Sequence, residues 1–264
     1  MDQVTLTVLF KHGNVGVAAW LRLSKIEPGI GVIYPDPASM SFVAYDPVFA
    51  DAIQIAWELS APLHRSKCDV VWRLEVRPDG PLGTPTTLSM LEDRSLGLAF
   101  RVGLRHLLDP QLTDLLPNPD AAIIGAIEID PQQPDGRIAS VGGYQEKLNA
   151  AVGWKLKQVI LPAADRERPE VAQFALAMPD LVGVRTVAEA SEHISGLTGD
   201  LLTYLDGLID WLETPPAYYP MDLKRRFRFD AITQSVKVSQ ERLRFRQTDA
   251  REQEANRRAG MLDD

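Results

Sequence analysis

Apolar and polar residues alternate over Val4 to Phe10 and again over Val15 to Leu23, which predicts two strands. His12-Gly13-Asn14 between them predicts a hairpin turn. Gly31 to Tyr34 and Ser41 to Ala44 predict two short strands, separated by Pro35-Asp36-Pro37. Period 2 then gives way to period 3.6. Asp46 is a predicted N-cap with Pro47 at the first helical position, and Phe49, Ala52, Ile53, Ala56, Trp57 and Ser60 form one apolar face. Asp69 to Val76 alternates again, with Val71, Arg73 and Glu75 on one face and Val70, Trp72, Leu74 and Val76 on the other. Pro78 to Pro85 is rich in Pro and Gly and predicts a loop.

Further along, Ala121 to Ile129 is an apolar run of strand length, expected to be one buried strand. Ile138 to Val141 and Gln158 to Leu161 are two more strands, and Asp165 to Glu170 a charged, solvated loop. Val171 to Met178 predicts a short helix and Leu181 to Val184 a strand. Thr186 with Glu189 then forms a capping box for a helix. Strands and helices mixed without strict alternation indicate an α+β fold.

Two stretches stand out chemically. In Gly142-Gly143-Tyr144-Gln145-Glu146-Lys147 the two glycines break a strand, and a helix is predicted to open with Glu146 and a lysine in its first turn. Leu148, Ala151 and Val152 are the expected apolar stripe. A cation is disfavoured near a helix N-terminus. A lysine pressed among small apolar residues tends to lose its proton and become a base, a shift that Glu92 or Glu128 nearby would oppose and Arg94 would help. The second stretch, Leu91-Glu92-Asp93-Arg94-Ser95-Leu96-Gly97-Leu98, predicts a loop entering a helix at Ser95. A hydroxyl beside unpaired helix amides suits a nucleophile with an oxyanion site.

Ser95-Leu96-Gly97 resembles the Ser-Ala-Gly core of the Lon protease active-site motif. Val141 to Ala151 is similar to that family's Gly-Gly-x-x-Glu-Lys-x-x-Ala-Ala motif. Flanking strands at Ile123 to Ile129, Gly136-Arg137-Ile138, Lys157 to Pro162 and Val184 to Ala190 match in order, so the resemblance covers residues 30–195. It implies a mixed sheet with packed helices, the Lon proteolytic-domain or ribosomal protein S5 domain 2-like fold. It also implies a Ser–Lys dyad, with Ser95 as nucleophile and Lys147 as general base. Glu92, Asp93, Arg94, Gly142 and Gly143 become the supporting and oxyanion loops. Two departures bear on chemistry. Glu92-Asp93-Arg94 stands where the family usually has Asp-Gly-Pro, and Ala126 stands where it often has a threonine. The interval from Ser95 to Lys147 is also longer, the excess falling in Leu107–Pro119 and Asp130–Asp135.

Composition narrows the alternatives. The chain has 264 residues, 45% hydrophobic and 24% charged, which fits a globular domain plus an appendage. No run reaches the roughly 18 apolar residues of a membrane helix, and Met1-Asp2-Gln3 has no basic leader, so a cytoplasmic location is expected. The single cysteine, Cys68, precludes an internal disulfide and is expected to be structural. His12, His64, His106 and His193 lack metal-ligand spacing, and no Gly-x-x-x-x-Gly-Lys loop is present. No cofactor is therefore expected. The net charge of −8 disfavours nucleic acid as a general partner.

The character changes near Gly199, which sets expected domains at 1–198 and 199–264. Leu201 to Leu212 predicts an amphipathic helix, and Thr214 to Pro220 a linker. Lys224 to Arg258 holds eleven Lys/Arg against five Asp/Glu, a basic arm whose readings are a solvated tail, a docking arm or a nucleic-acid contact. This arm resembles linkers that join an effector domain to a large signalling NTPase in bacterial conflict proteins. The expected partners are thus a polypeptide substrate, a partner or fused C-terminal NTPase that gates it, and other copies of the chain in a homo-oligomer. The competing expectation is a non-catalytic Lon-like scaffold or oligomerisation module.

Overall fold

The structure, a computed structural model, describes residues 3–61, 68–78, 80–81, 84–85, 87–109, 112, 117–178 and 180–195. The chain divides after Ser195. The helix, linker and basic arm expected beyond Gly199 lie outside the described residues, as does part of the Pro78–Met90 and Leu107–Pro119 segments.

The fold is α+β, with a seven-stranded mixed sheet and packed helices. β1 (Gln3–His12) and β2 (Val15–Ile26) form the predicted hairpin, closed by Gly13-Asn14 with His12 opposite Val15. β3 (Ile33–Pro35) leads into a single-turn helix α1 (Pro37–Met40), ahead of the second short strand expected at Ser41 to Ala44. Asp36 caps α1 through the Ala38 amide, so Pro37 starts a helix here and does not merely end a strand. After β4 (Ala44–Tyr45), α2 (Pro47–Glu58) begins as predicted, with Asp46 accepting from the Phe49 amide. β5 (Asp69–Val76) buries Val70, Trp72 and Leu74 as its alternation requires. β6 (Met90–Leu91) pairs with β4 and runs toward Ser95.

α3 (Gly97–Leu108) follows. The apolar run 121–129 is not one strand but two, β7 (Ala121–Ile123) and β8 (Ala126–Asp130). Gly125 breaks it at φ 155°, a conformation closed to residues with a Cβ. β8 leaves the main sheet to pair with β9 (Gln133–Ala139), which contains Gly136. α4 (Tyr144–Gly153), β10 (Gln158–Pro162), the short α5 (Pro169–Ala172), β11 (Asp180–Val184) and α6 (Val187–Ile194) complete the domain. Thr186 caps α6 as expected, by accepting from the Glu189 amide.

The strand order is β11-β10-β7-β1-β2-β5-β3. β1, β7, β10 and β11 run parallel, and β2 is antiparallel to both β1 and β5. Adjacent side chains on a strand point to opposite faces. Val8 therefore joins a core with Leu98, Phe100 and Val102 of α3, while Leu9 joins another with Tyr144, Leu148 and Ala151 of α4. Phe49, Trp72 and Phe100 meet edge to face at 5.5–6.3 Å between centroids on the α3 side. Each such pair adds about 1 kcal/mol beyond its buried area.

α3 and α4 thus lie on opposite faces of one sheet. Their N-termini come together at the end where the parallel strands β1, β7 and β10 finish. In open sheets with parallel strands, that carboxyl end is where polar chemistry collects.

Candidate active site

Lys147 sits in the first turn of α4. The helix opens at Tyr144, two residues earlier than the predicted start at Glu146, with Gly143 as N-cap at φ 67°. Its inward face is Tyr144, Lys147, Leu148 and Ala151. Val152, expected on that stripe, is 40% exposed instead. Starting the helix two residues early turns Lys147 into the sheet: the residue is 1% exposed. Its Nζ donates to the Gly142 carbonyl at 2.7 Å and lies 3.8 Å from Asp93 Oδ2. Burial is the largest influence and lowers its pKa from 10.5 to about 8. Asp93, then Glu146, work against that shift, and Lys11 works with it.

Ser95 is also 1% exposed. It stands one residue before Leu96, the N-cap of α3, and so is not itself the cap. Its carbonyl accepts from Gly125 N at 3.0 Å, and Gly125 O accepts from Leu98 N at 3.0 Å. β7 and β8 thereby grip the start of α3 through backbone alone. Gly97 N donates to Arg94 O. The Gly97 and Leu98 amides at the start of α3 are therefore already occupied.

The loop before Ser95 is held from two sides. Asp93 adopts φ 75°, a left-handed conformation that Asp tolerates better than most side chains. Its carboxylate reaches Lys147 on one side. Arg94, next in the chain, turns the other way and bonds Glu128 Oε1 at 2.7 Å. Arg137 takes Glu128 Oε2 at 2.5 Å, and these guanidiniums, Arg137 foremost, hold the Glu128 carboxyl below its usual range. This corrects the expected electrostatics. Of the charged groups considered near the lysine, Glu128 is engaged by arginines, Arg94 is neutralised by Glu128, and Glu92 is exposed. The facing carboxylate is that of Asp93.

The lysine loop has further supports that the sequence reading missed. Lys11, at the end of β1, pairs with Glu146 at 3.1 Å. Asp165, assigned to a solvated loop, is fully buried and accepts the Tyr144 hydroxyl at 2.5 Å. Burial, then that bond to Asp165, raises the Tyr144 pKa, so the phenol stays neutral. The small neighbours Ala163 and Ala164 were the available hint that Asp165 turns inward. Ala126 is buried in the α4-side core. Cys68 is buried and free, as expected of a structural thiol.

A cleft of about 280 Å³ lies beside this site, between α4 and the hairpin. Asn14, Gly16, Pro81, Thr84, Glu146 and Trp154 are among its walls, whereas Ser95, Asp93 and Lys147 do not line it. α3 ends at Leu108, one helix length or about 18 Å from its start beside Ser95, and Pro119 O accepts from Thr7 Oγ1 and Arg77 Nη1. Among the described residues no cluster of His, Cys, Asp and Glu could hold a metal ion, and no helix is long and apolar enough to cross a membrane. No protein-family model matches the chain, and no curated protein matches it.

Proposed function

We propose that the chain is a Lon-like serine endopeptidase in which Ser95 is the nucleophile and Lys147 the general base. One observation carries the reading. A fully buried lysine, its pKa lowered to about 8, lies 3.8 Å from a carboxylate two residues upstream of a buried serine. Structural lysines keep their charge in water. This one has been given a neutral form accessible near pH 8, which a base needs.

In the first step neutral Lys147 Nζ takes the Ser95 Oγ proton as Oγ bonds to the peptide carbonyl carbon. The carbonyl electron pair moves to oxygen. With the Gly97 and Leu98 amides spoken for, the Ser95 and Leu96 amides are the donors beside that oxyanion, and a good donor contributes about 3–4 kcal/mol. The tetrahedral intermediate then collapses. The C–N bond breaks, the Lys147 ammonium returns its proton to the leaving amine, and an acyl–Ser95 ester remains. Water, deprotonated by Lys147, releases the acid and restores the serine. In this reading the polypeptide runs along the cleft walled by Pro81, Thr84 and Glu146, the residue before Lys147. A gating NTPase, a homo-oligomeric ring and a cytoplasmic setting belong to the same proposal.

The ion pair with Asp93 favours a second reading, a resting or non-catalytic module of the same kind. A protonated Lys147 held by Asp93 and the Gly142 carbonyl cannot accept a proton. Trapping the acyl-enzyme separates the two. Wild type treated with a peptidyl nitrophenyl ester and quenched in acid should carry one acyl group on Ser95, and Lys147→Met should carry none. An acyl group on another residue, or equal labelling of the variant, would refute the dyad.

A further inference from the structure

Asp165 is a fully buried carboxylate that the proposed mechanism does not use. Burying one costs several kcal/mol unless partners compensate, and breaking such a cluster is worse than never having built it. Its partners all belong to the lysine loop or brace it. Oδ2 accepts the Tyr144 hydroxyl at 2.5 Å and the Val141 amide at 3.4 Å. Arg168 Nε pairs with Oδ1 at 2.8 Å, and Arg168 Nη1 donates to the Val141 carbonyl at 3.3 Å. Val141 is thus tied at both its amide and its carbonyl, and Tyr144 through its side chain.

Between those two fixed residues lie only Gly142 and Gly143. Neither has a side chain to anchor it, and glycine has the widest backbone freedom. The Gly142 carbonyl is the acceptor that holds Lys147 Nζ at 2.7 Å. Its position is therefore set by its two tethered neighbours. We propose that Asp165, acting with Tyr144 and Arg168, is a positioning residue that aims the Lys147 amine through the Gly142 carbonyl. The proposal deepens the reading of Lys147 as general base and rests on it.

The test is made on Lys147 itself, in a Ser95→Ala background, so that it does not depend on turnover. Trace acetylation with acetic anhydride across a pH series gives the titration midpoint of the Lys147 amine, with surface Lys157 as the reference. Asp93, Glu146 and Lys11, the charged groups facing Lys147, are left in place. Asp165→Asn, Tyr144→Phe and Arg168→Gln are compared, since Tyr144→Phe keeps the buried ring in place should either of the others fail to fold. Loosening the loop admits water to an amine whose proton affinity is lowered by burial. The midpoint should rise by about one unit while that of Lys157 stays fixed. With Ser95 restored, kcat should fall about tenfold at unchanged KM. An unmoved Lys147 midpoint in any variant that melts cooperatively overturns the proposal. A moved midpoint in a chain that cuts nothing upholds the positioning role and counts against the peptidase instead.

Discussion

Lys147 Nζ and the Asp93 carboxylate lie 3.8 Å apart, one end of the pair fully buried and the other nearly half exposed. The pairing opposes the desolvation that would make the lysine a base. Because Asp93 is screened by water, its hold amounts to less than about 1 kcal/mol. Desolvation therefore wins, and the site is restrained rather than locked.

Replacing Asp93 with Asn should relieve that restraint. Asn tolerates the φ of 75° at this position, so the loop should keep its shape. Losing the carboxylate should lower the lysine midpoint by up to about 0.7 unit and raise peptidase activity at pH 7 by about two- to four-fold. A pH–rate profile of the variant checks it. A midpoint that rises, or stays fixed, would mean that Asp93 does not act on Lys147.

Stability should register the same lysine. Its folded pKa, about 8, is below the ordinary 10.5, so the unfolded chain binds the extra proton between those values. Stability should then rise with pH from about 8 to 10.5, and below 8 the buried lysine should cost about 3 kcal/mol. Lys147→Met should stabilise the fold by about 2–3 kcal/mol at pH 7, with the gain shrinking as pH approaches 10.5. Urea unfolding at pH 7 and pH 10 measures both. A gain independent of pH would contradict the shifted pKa.

Gly125 should resist any side chain. A Cβ there would meet Leu98 Cδ2 at 2.9 Å, and the φ of 155° is strained for any L-residue. The same glycine grips Ser95 O and Leu98 N through its backbone. Gly125→Ala should destabilise by about 2–3 kcal/mol and reduce activity further than that loss explains, since the Ser95 turn must shift. Denaturant midpoints and residual activity in the folded fraction test this. A variant as stable as wild type would show that the β7–β8 break is not imposed by Gly125.

Period and punctuation made much of the scaffold legible. The β1–β2 hairpin, the Asp46-capped α2, the alternating β5 and the Thr186 cap follow local rules that a single segment obeys by itself. The α+β class follows from their mixture. Where the reading failed, the deciding partner was distant in sequence. Ala121 to Ile129 is apolar but for Glu128, and only the β7–β8 break beside Ser95 shows why Gly125 divides it. Asp165 stands in a charged run that is otherwise solvated, and its inward turn depends on Tyr144 and Val141, more than twenty positions earlier. Glu128 could be foreseen near Lys147 but not its capture by Arg94 and Arg137. Lys147 was singled out because a cation in a first helical turn among small residues breaks a local rule, and such violations concentrate at working sites.

The central claim is that Ser95 attacks peptide bonds. Wild type and Ser95→Ala are incubated with unfolded casein and with a host lysate, and new N-termini are identified by mass spectrometry. The account predicts cuts made by wild type and absent with Ser95→Ala, both alone and, more strongly, with a partner NTPase restored. The same cuts from both proteins, or none from wild type even with that partner present, would contradict it.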